Sequence, residues 1–200
     1  GHVILSPTYL REVFKIIHKK NALCIVDEVQ TGFGRVGNFF WGFEEHEVIP
    51  DIVTLGKPMG NGHPIAAVIT TKEIAKVFNN GMEYFNSFGG NPVSCSIGNS
   101  LLDVIENEKL QSHAKITGEY FIKSLNKIKS KFPKLISEIR GRGLFLGIDL
   151  INNKNNIPNK KLATLVINKM RQRGILLSTD GPYQNVIKIK PPMTFSKDNV

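Results

Sequence analysis

The sequence predicts an α/β fold, and three observations carry that prediction. Leu23–Val26 form a continuous apolar run that ends in acid at Asp27, the pattern of a parallel strand covered on both faces. Two more short runs follow, DIVTL leading to Lys57 and IAAVITT almost at once after it. Helical segments over Lys72–Asn79 and Pro92–Glu106 alternate with these runs, as α/β folds require.

Taken in order, the chain opens with a helical pattern over Thr8–Lys19 before the first strand. Residues 31–50, rich in glycine and aromatics, read as a loop that returns over the sheet. After ENEKLQSHAK the texture changes, and the boundary between two domains falls near Gln111, giving 1–110 and 111–200. The second part carries a long lysine-rich helix, the strand-like run EIRGRGLFLGIDL, a helix over Lys160–Arg173 and two short runs, GILLS and NVIKIK. That mixture is typical of a small α+β domain. INNKNNIPNKK reads as a surface loop, and the closing TFSKDNV has the cap and first turn of a helix that the chain does not contain. The chain lacks an initiating Met, and both ends read as cut.

With 200 residues and 41% hydrophobic content the chain can bury a real core. No apolar run reaches the roughly 20 residues a membrane-spanning helix needs. The first residues also lack the basic start and cleavage site of a signal peptide. The net charge of +9 raises nucleic-acid binding, but Lys109, Lys115, Lys123, Lys127, Lys129, Lys131 and Lys134 fall in one stretch. There Ile116, Tyr120, Leu125 and Ile128 roughly follow helical spacing, so the lysines read as one solvated helix face. Aromatic residues are not interleaved with them as single-strand binders require. Cys24 in a buried-looking strand and Cys95 in an NPVSCS turn are too few for a disulfide framework or a metal site, and read as reduced thiols of a cytoplasmic or mitochondrial protein.

Ligands of open α/β sheets bind beyond the carboxyl ends of the strands, where both Asp27 and Lys57 fall. Each alone has a structural explanation: a buried carboxylate caps a neighbouring helix, and a lone lysine is a solvated rim residue. Together they suit pyridoxal phosphate, which needs an amine for a Schiff base and an acid on the pyridinium nitrogen. FNSFGGNP adds a phosphate cradle from the Ser87 hydroxyl and the N–H groups of Gly89 and Gly90, while Gly60 and Gly62 let backbone approach a bulky ring. A dinucleotide fingerprint in GRGLFLG fails on spacing and context, and Lys57 followed by Pro58 excludes a P-loop.

VDEVQTGFGRVG, TLGKPMGNGHPIAAV and YFNSFGGNPVSC resemble, in order and spacing, three consecutive motifs of the class III, fold-type I, pyridoxal-phosphate aminotransferases. The resemblance runs through essentially the whole chain. It implies the latter part of a large, mainly parallel-sheet domain followed by a small C-terminal domain, with the upstream phosphate motif, a stacking aromatic and a glutamate lying before residue 1. It further implies that Lys57 is the Schiff-base lysine and proton shuttle, that Asp27 pairs with the pyridinium nitrogen, and that Gln30 approaches the ring hydroxyl. Ser87 stands where the family usually has a threonine that reaches the cofactor phosphate of the neighbouring subunit, implying a homodimer with shared sites. Arg35 and Arg140, with no evident partner in the sequence, read as structural.

Members acting on amino acids commonly carry an arginine for the substrate carboxylate in a segment like IRxAPP. Here VIKIKPPM places Lys188 there, a point charge in place of a planar fork. The wording is most similar to the phospho-lyase branch, which implies elimination of phosphate and ammonia from ethanolamine phosphate or 5-phosphohydroxylysine. The alternatives are a transaminase using glyoxylate or pyruvate, and a non-catalytic binding subunit of the same fold.

Overall fold

The computed structural model describes residues 3–152 and 156–200. They fall into two compact units: Leu5–Gly34 with Phe39–Gln111, and the described residues of Gly1–Ile4 with Arg35–Asn38 and Ser112–Val200.

In the first unit, helix α1 (Tyr9–His18) turns Leu10, Phe14 and Ile17 to one side. They pack with Cys24, Val26, Phe43 and Val48 into a small core, an amphipathic stripe at 3–4-residue spacing. Strand β1 (Ile25–Asp27) runs parallel to β2 (Ile52–Leu55) with Ile25 opposite Ile52 and Asp27 opposite Thr54. Strand β3 (Ala67–Thr70) returns antiparallel along the other side of β2. Between β1 and β2 the glycine- and aromatic-rich segment makes turns and a 3-10 helix at Gly42–His46. Phe33 and Phe40 each meet Trp41 edge to face and tilt against one another, with centroids 4.7–5.7 Å apart.

The first strand is covered less than its apolar run implies. Leu23 and Ile25 are 53% and 63% exposed: among the described residues β1 pairs only with β2, and α1 reaches only its Val26 side. Helix α2 (Lys72–Phe78) is capped by Thr71, and α3 (Pro92–Asn107) by Asn91, whose side chain accepts the Ser94 N–H at 2.9 Å. Cys95, expected in a turn, therefore lies in a helix: the Asn-Pro pair is an N-cap followed by a first-turn proline.

In the second unit, α4 (Leu110–Lys131) contributes its residues from Ser112 onward. Its buried stripe is Ala114, Thr117, Gly118 and Leu125, with Phe121 half-buried; Ile116, Tyr120 and Ile128 are exposed, contrary to the phase read from the sequence. The phase is set by Gly118, where any Cβ would strike the Gly143 carbonyl. Lys115, Lys123, Lys127 and Lys131 do face solvent.

EIRGRGLFLGIDL is two strands rather than one, β4 (Ile136–Arg142) and β5 (Phe145–Leu150), reversed at Gly143, whose φ of 50° favours glycine. Helix α5 (Lys160–Arg171) leads to β6 (Ser178–Asp180), which starts only at the last residue of GILLS, and to β7 (Val186–Ile189). The sheet order is β4-β5-β7-β6, antiparallel throughout. Leu125, Ile136, Leu146, Leu150, Ala163, Ile187 and Ile189 form its core. At the end of the chain Ser196 Oγ accepts the Asn199 N–H and Val200 N–H reaches Ser196 O at 3.1 Å, the helix start expected of TFSKDNV. Of the expected surface loop, Ile151 pairs with Pro158, while Asn153, Lys154 and Asn155 lie outside the described residues. Among the described residues no helix is long and apolar enough to cross a membrane.

Candidate active site

The parallel register of β1 and β2 decides where the first two site residues stand. Asp27 ends β1 opposite Thr54, and Lys57 follows three residues later, just past the end of β2. Both thus stand at the carboxyl edge of the same strand pair. Asp27 is exposed, and its Oδ1 accepts the Val29 N–H at 2.9 Å in a local turn, which leaves Oδ2 open. Gln30 follows in the same turn, also exposed.

The buried carboxylate at this strand end is Glu28, not Asp27. Glu28 is 1% exposed and accepts from Thr31 Oγ1 at 2.7 Å and from the N–H groups of Gly42 and Phe43 at 3.0 and 2.9 Å. It holds the start of the 3-10 helix, the capping role that the sequence offered for Asp27, so Asp27 is left to solvent. The adjacent acid in VDEV was the signal for it.

Lys57 is exposed and carries a φ of 23°, a conformation L-residues rarely adopt. Three successive turns fix it: Met59 N–H to Gly56 O at 2.9 Å, Asn61 N–H to Pro58 O at 3.2 Å and His63 N–H to Gly60 O at 3.0 Å. Gly60 is required inside this turn, since a Cβ there would run into the His63 carbonyl. Gly62, at φ 108°, has open space around it.

Ser87 belongs to a wholly exposed segment, 81–90, together with Met82, Tyr84, Phe85 and Phe88. Asn86 Oδ1 accepts the N–H groups of Phe88 and Gly89 at 3.2 and 3.0 Å, so Gly89 is engaged locally. Of the expected cradle, the Ser87 hydroxyl and the Gly90 N–H keep no hydrogen-bond partner among the described residues.

Lys188 lies in the second unit, on β7 between Gly147 of β5 and Ser178 of β6. Strand alternation sends Ile187 and Ile189 to the core and Lys188 to the opposite face. Arg140 occupies the same cross-strand row, opposite Gly147, and does have partners: Asp149 at 2.9 Å and Glu138. Desolvation works against its charge, yet the hydrogen bonds to Asp149 and Glu138 outweigh it and raise the guanidinium pKa. Arg35 donates to Leu144 O and, at 2.6 Å, to Pro191 O, and its burial lowers its pKa. Both arginines are spoken for by the fold.

At the amino ends of the strands His18, Cys24 and Asp51 bring their donor atoms within 4.8 Å of one another. Asp51 Oδ2 already accepts the Cys24 N–H at 2.7 Å and meets His18 Nε2 at 2.9 Å, and these bonds hold its pKa low. Burial, with Asp51 nearby, pushes the Cys24 thiol up. The cluster is explained as a structural tether.

An amine and an open carboxylate at one strand edge, with an unpartnered hydroxyl and N–H on a separate segment, fit the donor set that pyridoxal phosphate needs. The family model for aminotransferase class-III matches residues 1–200. The chain is 50% identical over its full length to alanine–glyoxylate aminotransferase 2-like of Drosophila melanogaster, of which it covers 41%. It is 44% identical over its full length to ethanolamine-phosphate phospho-lyase homolog 1 of Caenorhabditis elegans, of which it covers 44%. A solved phospholyase from Arthrobacter in complex with phosphoethanolamine superposes with a TM-score of 0.94 at 41% identity, over 98% of this chain and 47% of that one. The chain thus spans less than half the length of these relatives.

Proposed function

The chain belongs to the class III aminotransferases, a family of pyridoxal-phosphate-dependent enzymes of α/β fold, and on that premise we propose that it carries the lysine half of a phospho-lyase active site. The observation that carries the reading is the β1/β2 register, which stands Asp27 and Lys57 at one edge. When bound, the cofactor supplies an electron sink adjacent to the substrate amine. Asp27, with its open oxygen, would hold the proton on the cofactor's ring nitrogen, and Gln30 would serve its ring hydroxyl. Lys57 would anchor the cofactor through its amine, and that amine, once free, would accept the proton from the substrate's amine-bearing carbon. The bond from the adjacent carbon to the phosphate oxygen breaks, phosphate leaves with that electron pair, and addition of water gives an aldehyde and ammonia.

Lys188 supports elimination over amino transfer, because a compact ammonium suits a phosphate without the planar fork that selects a carboxylate. The phosphoethanolamine-bound phospholyase supports the same substrate class. Ser87 is proposed to serve the cofactor phosphate of a second copy. The segment around it supports that: Phe78, Met82, Tyr84, Phe85 and Phe88 are each at least 66% exposed, an apolar surface that a homodimer would cover. The cytoplasm or the mitochondrion is the proposed compartment.

The test is product analysis with ethanolamine phosphate and with 5-phosphohydroxylysine on the full-length protein. Phosphate and ammonia released without a keto-acid acceptor support the reading. Amino transfer from alanine to glyoxylate or pyruvate with no phosphate release overturns it in favour of a transaminase, a reading the Drosophila relative's name supports. A protein that stays colourless with added cofactor would be a non-catalytic binding subunit.

A further inference from the structure

The turn that follows Lys57 is tied to the segment that carries Ser87 by a line of polar contacts that the proposed chemistry leaves unused. His63 Nε2 lies 2.7 Å from Ser94 Oγ. Ser94, 8% exposed, is in the first turn of α3. Its hydroxyl oxygen also accepts from Asn91 Nδ2 at 2.9 Å, and its backbone N–H donates to Asn91 Oδ1 at 2.9 Å. Asn91 Nδ2 in turn donates to Phe88 O at 2.7 Å, one residue past Ser87. At the other end His63 N–H closes on Gly60 O, within the turns that hold Lys57. The line from Phe88 through Asn91, Ser94 and His63 to Gly60 is unbroken.

The surroundings fit a rigid link. Gly98, one turn along α3 from Ser94, lets Ile65 approach: a Cβ there would already be in contact with Ile65 Cδ1 at 3.5 Å. Gly60 is pressed against His63 and Ile65 so closely that no side chain fits. The Ser94 hydroxyl has one proton and two lone pairs. With the Asn91 amide donating to it, the Ser94 hydroxyl has its own proton left for His63 Nε2 in the tautomer that carries the ring hydrogen on Nδ1.

We propose that His63, Ser94 and Asn91 form a positioning strut that sets the Lys57 turn against the Ser87–Gly90 segment, so that neither can be displaced without the other. None of the three touches the reacting atoms. The inference rests on the roles proposed above for Lys57 and Ser87. If Ser87 serves the neighbouring subunit, the strut joins the lysine of one site to the phosphate cradle of the other.

The test uses the full-length protein and pyridoxal phosphate. Binding is followed by the visible band of lysine-bound cofactor, and the pH at which that band changes reports the surroundings of Lys57. His63→Ala and Ser94→Ala are each expected to weaken cofactor binding about tenfold and to shift that pH, the cost of one lost hydrogen bond at a buried partner. The double variant is expected to be no weaker than either single one, since both break the same link. His63→Gln, which keeps a polar atom for Ser94, should restore most of the affinity. Melting of the cofactor-free proteins monitors folding separately. Unchanged affinity and band in His63→Ala, beside a wild type that binds normally, would overturn the strut and leave the site intact. Losses that add in the double variant would overturn it too. A wild type that forms no band would instead remove the site assignment on which the strut depends.

Discussion

The two units are held together by different means. In the four-stranded unit an apolar core does the work, with Leu146 and Ala163 fully buried and Ile187 at 2% exposure. Among the described residues of the three-stranded unit the core is small, strand residues Ile25 and Val68 are 63% and 66% exposed, and carboxylates serve as ties. Glu28 gathers two backbone N–H groups and a hydroxyl; Asp51 joins the end of α1 to the entrance of β1. The unit that carries the proposed chemistry is thus the polar-tethered one. Hydrogen bonds fix positions sharply while adding little net stability, whereas apolar area adds stability without fixing position.

The largest effect that tests this contrast is chemical. Lys57→Ala is expected to abolish the visible cofactor band and cut phosphate release by about 10³-fold or more, while the urea midpoint of the cofactor-free protein stays within error. Next, Leu146→Ala should cost about 3 kcal/mol in urea denaturation and leave the band unchanged, whereas Ile25→Ala in this chain should stay within about 0.5 kcal/mol. Equal costs at the two positions would erase the difference between the units. Glu28→Ala should cost about 2 kcal/mol, the desolvation of N–H groups left without their acceptor, and should loosen proteolytic sites within 31–46 rather than around β4–β7.

Acid provides a smaller and more selective perturbation. The Cys24 N–H and His18 hold the Asp51 carboxyl below its ordinary 3.8, so its contribution is fully present above that value and is lost as pH falls through the depressed one. Asp51→Asn should flatten that acid limb in a pH series of melting curves. Asp180 is depressed as well, mainly through the N–H of its neighbour Gly181, a tie within one turn. Hydrogen exchange on acidification should therefore open β1 and β2 before β5 and β7.

Much of this was legible in the sequence, because periodicity and punctuation are local. The helices lie within a residue or two of their predicted ranges, and the strand-end positions of Asp27 and Lys57 were visible as apolar runs ending in charge. What escaped depends on partners far along the chain. The stripe read from Ile116, Tyr120 and Ile128 gave way where Gly143 meets Gly118, and the run 138–150 folded into a hairpin because Gly143 could reverse it. Arg140 found Asp149 across that hairpin, and Arg35 found Pro191, 156 positions away. Both acids of VDEV were visible in the sequence, but not which of Asp27 and Glu28 turns inward, because adjacent residues at a strand end face opposite ways.

The backbone of Lys57, at φ 23°, bears on the history of the chain as well as its chemistry. A lysine in that conformation costs about 1 kcal/mol that a glycine would not, so Lys57→Gly should melt a few degrees higher without cofactor. At this one position the most foldable residue and the useful residue are different amino acids. Drift toward stability alone would remove the lysine, and a copy of this chain released from the cofactor bond proposed for Lys57 should lose it early.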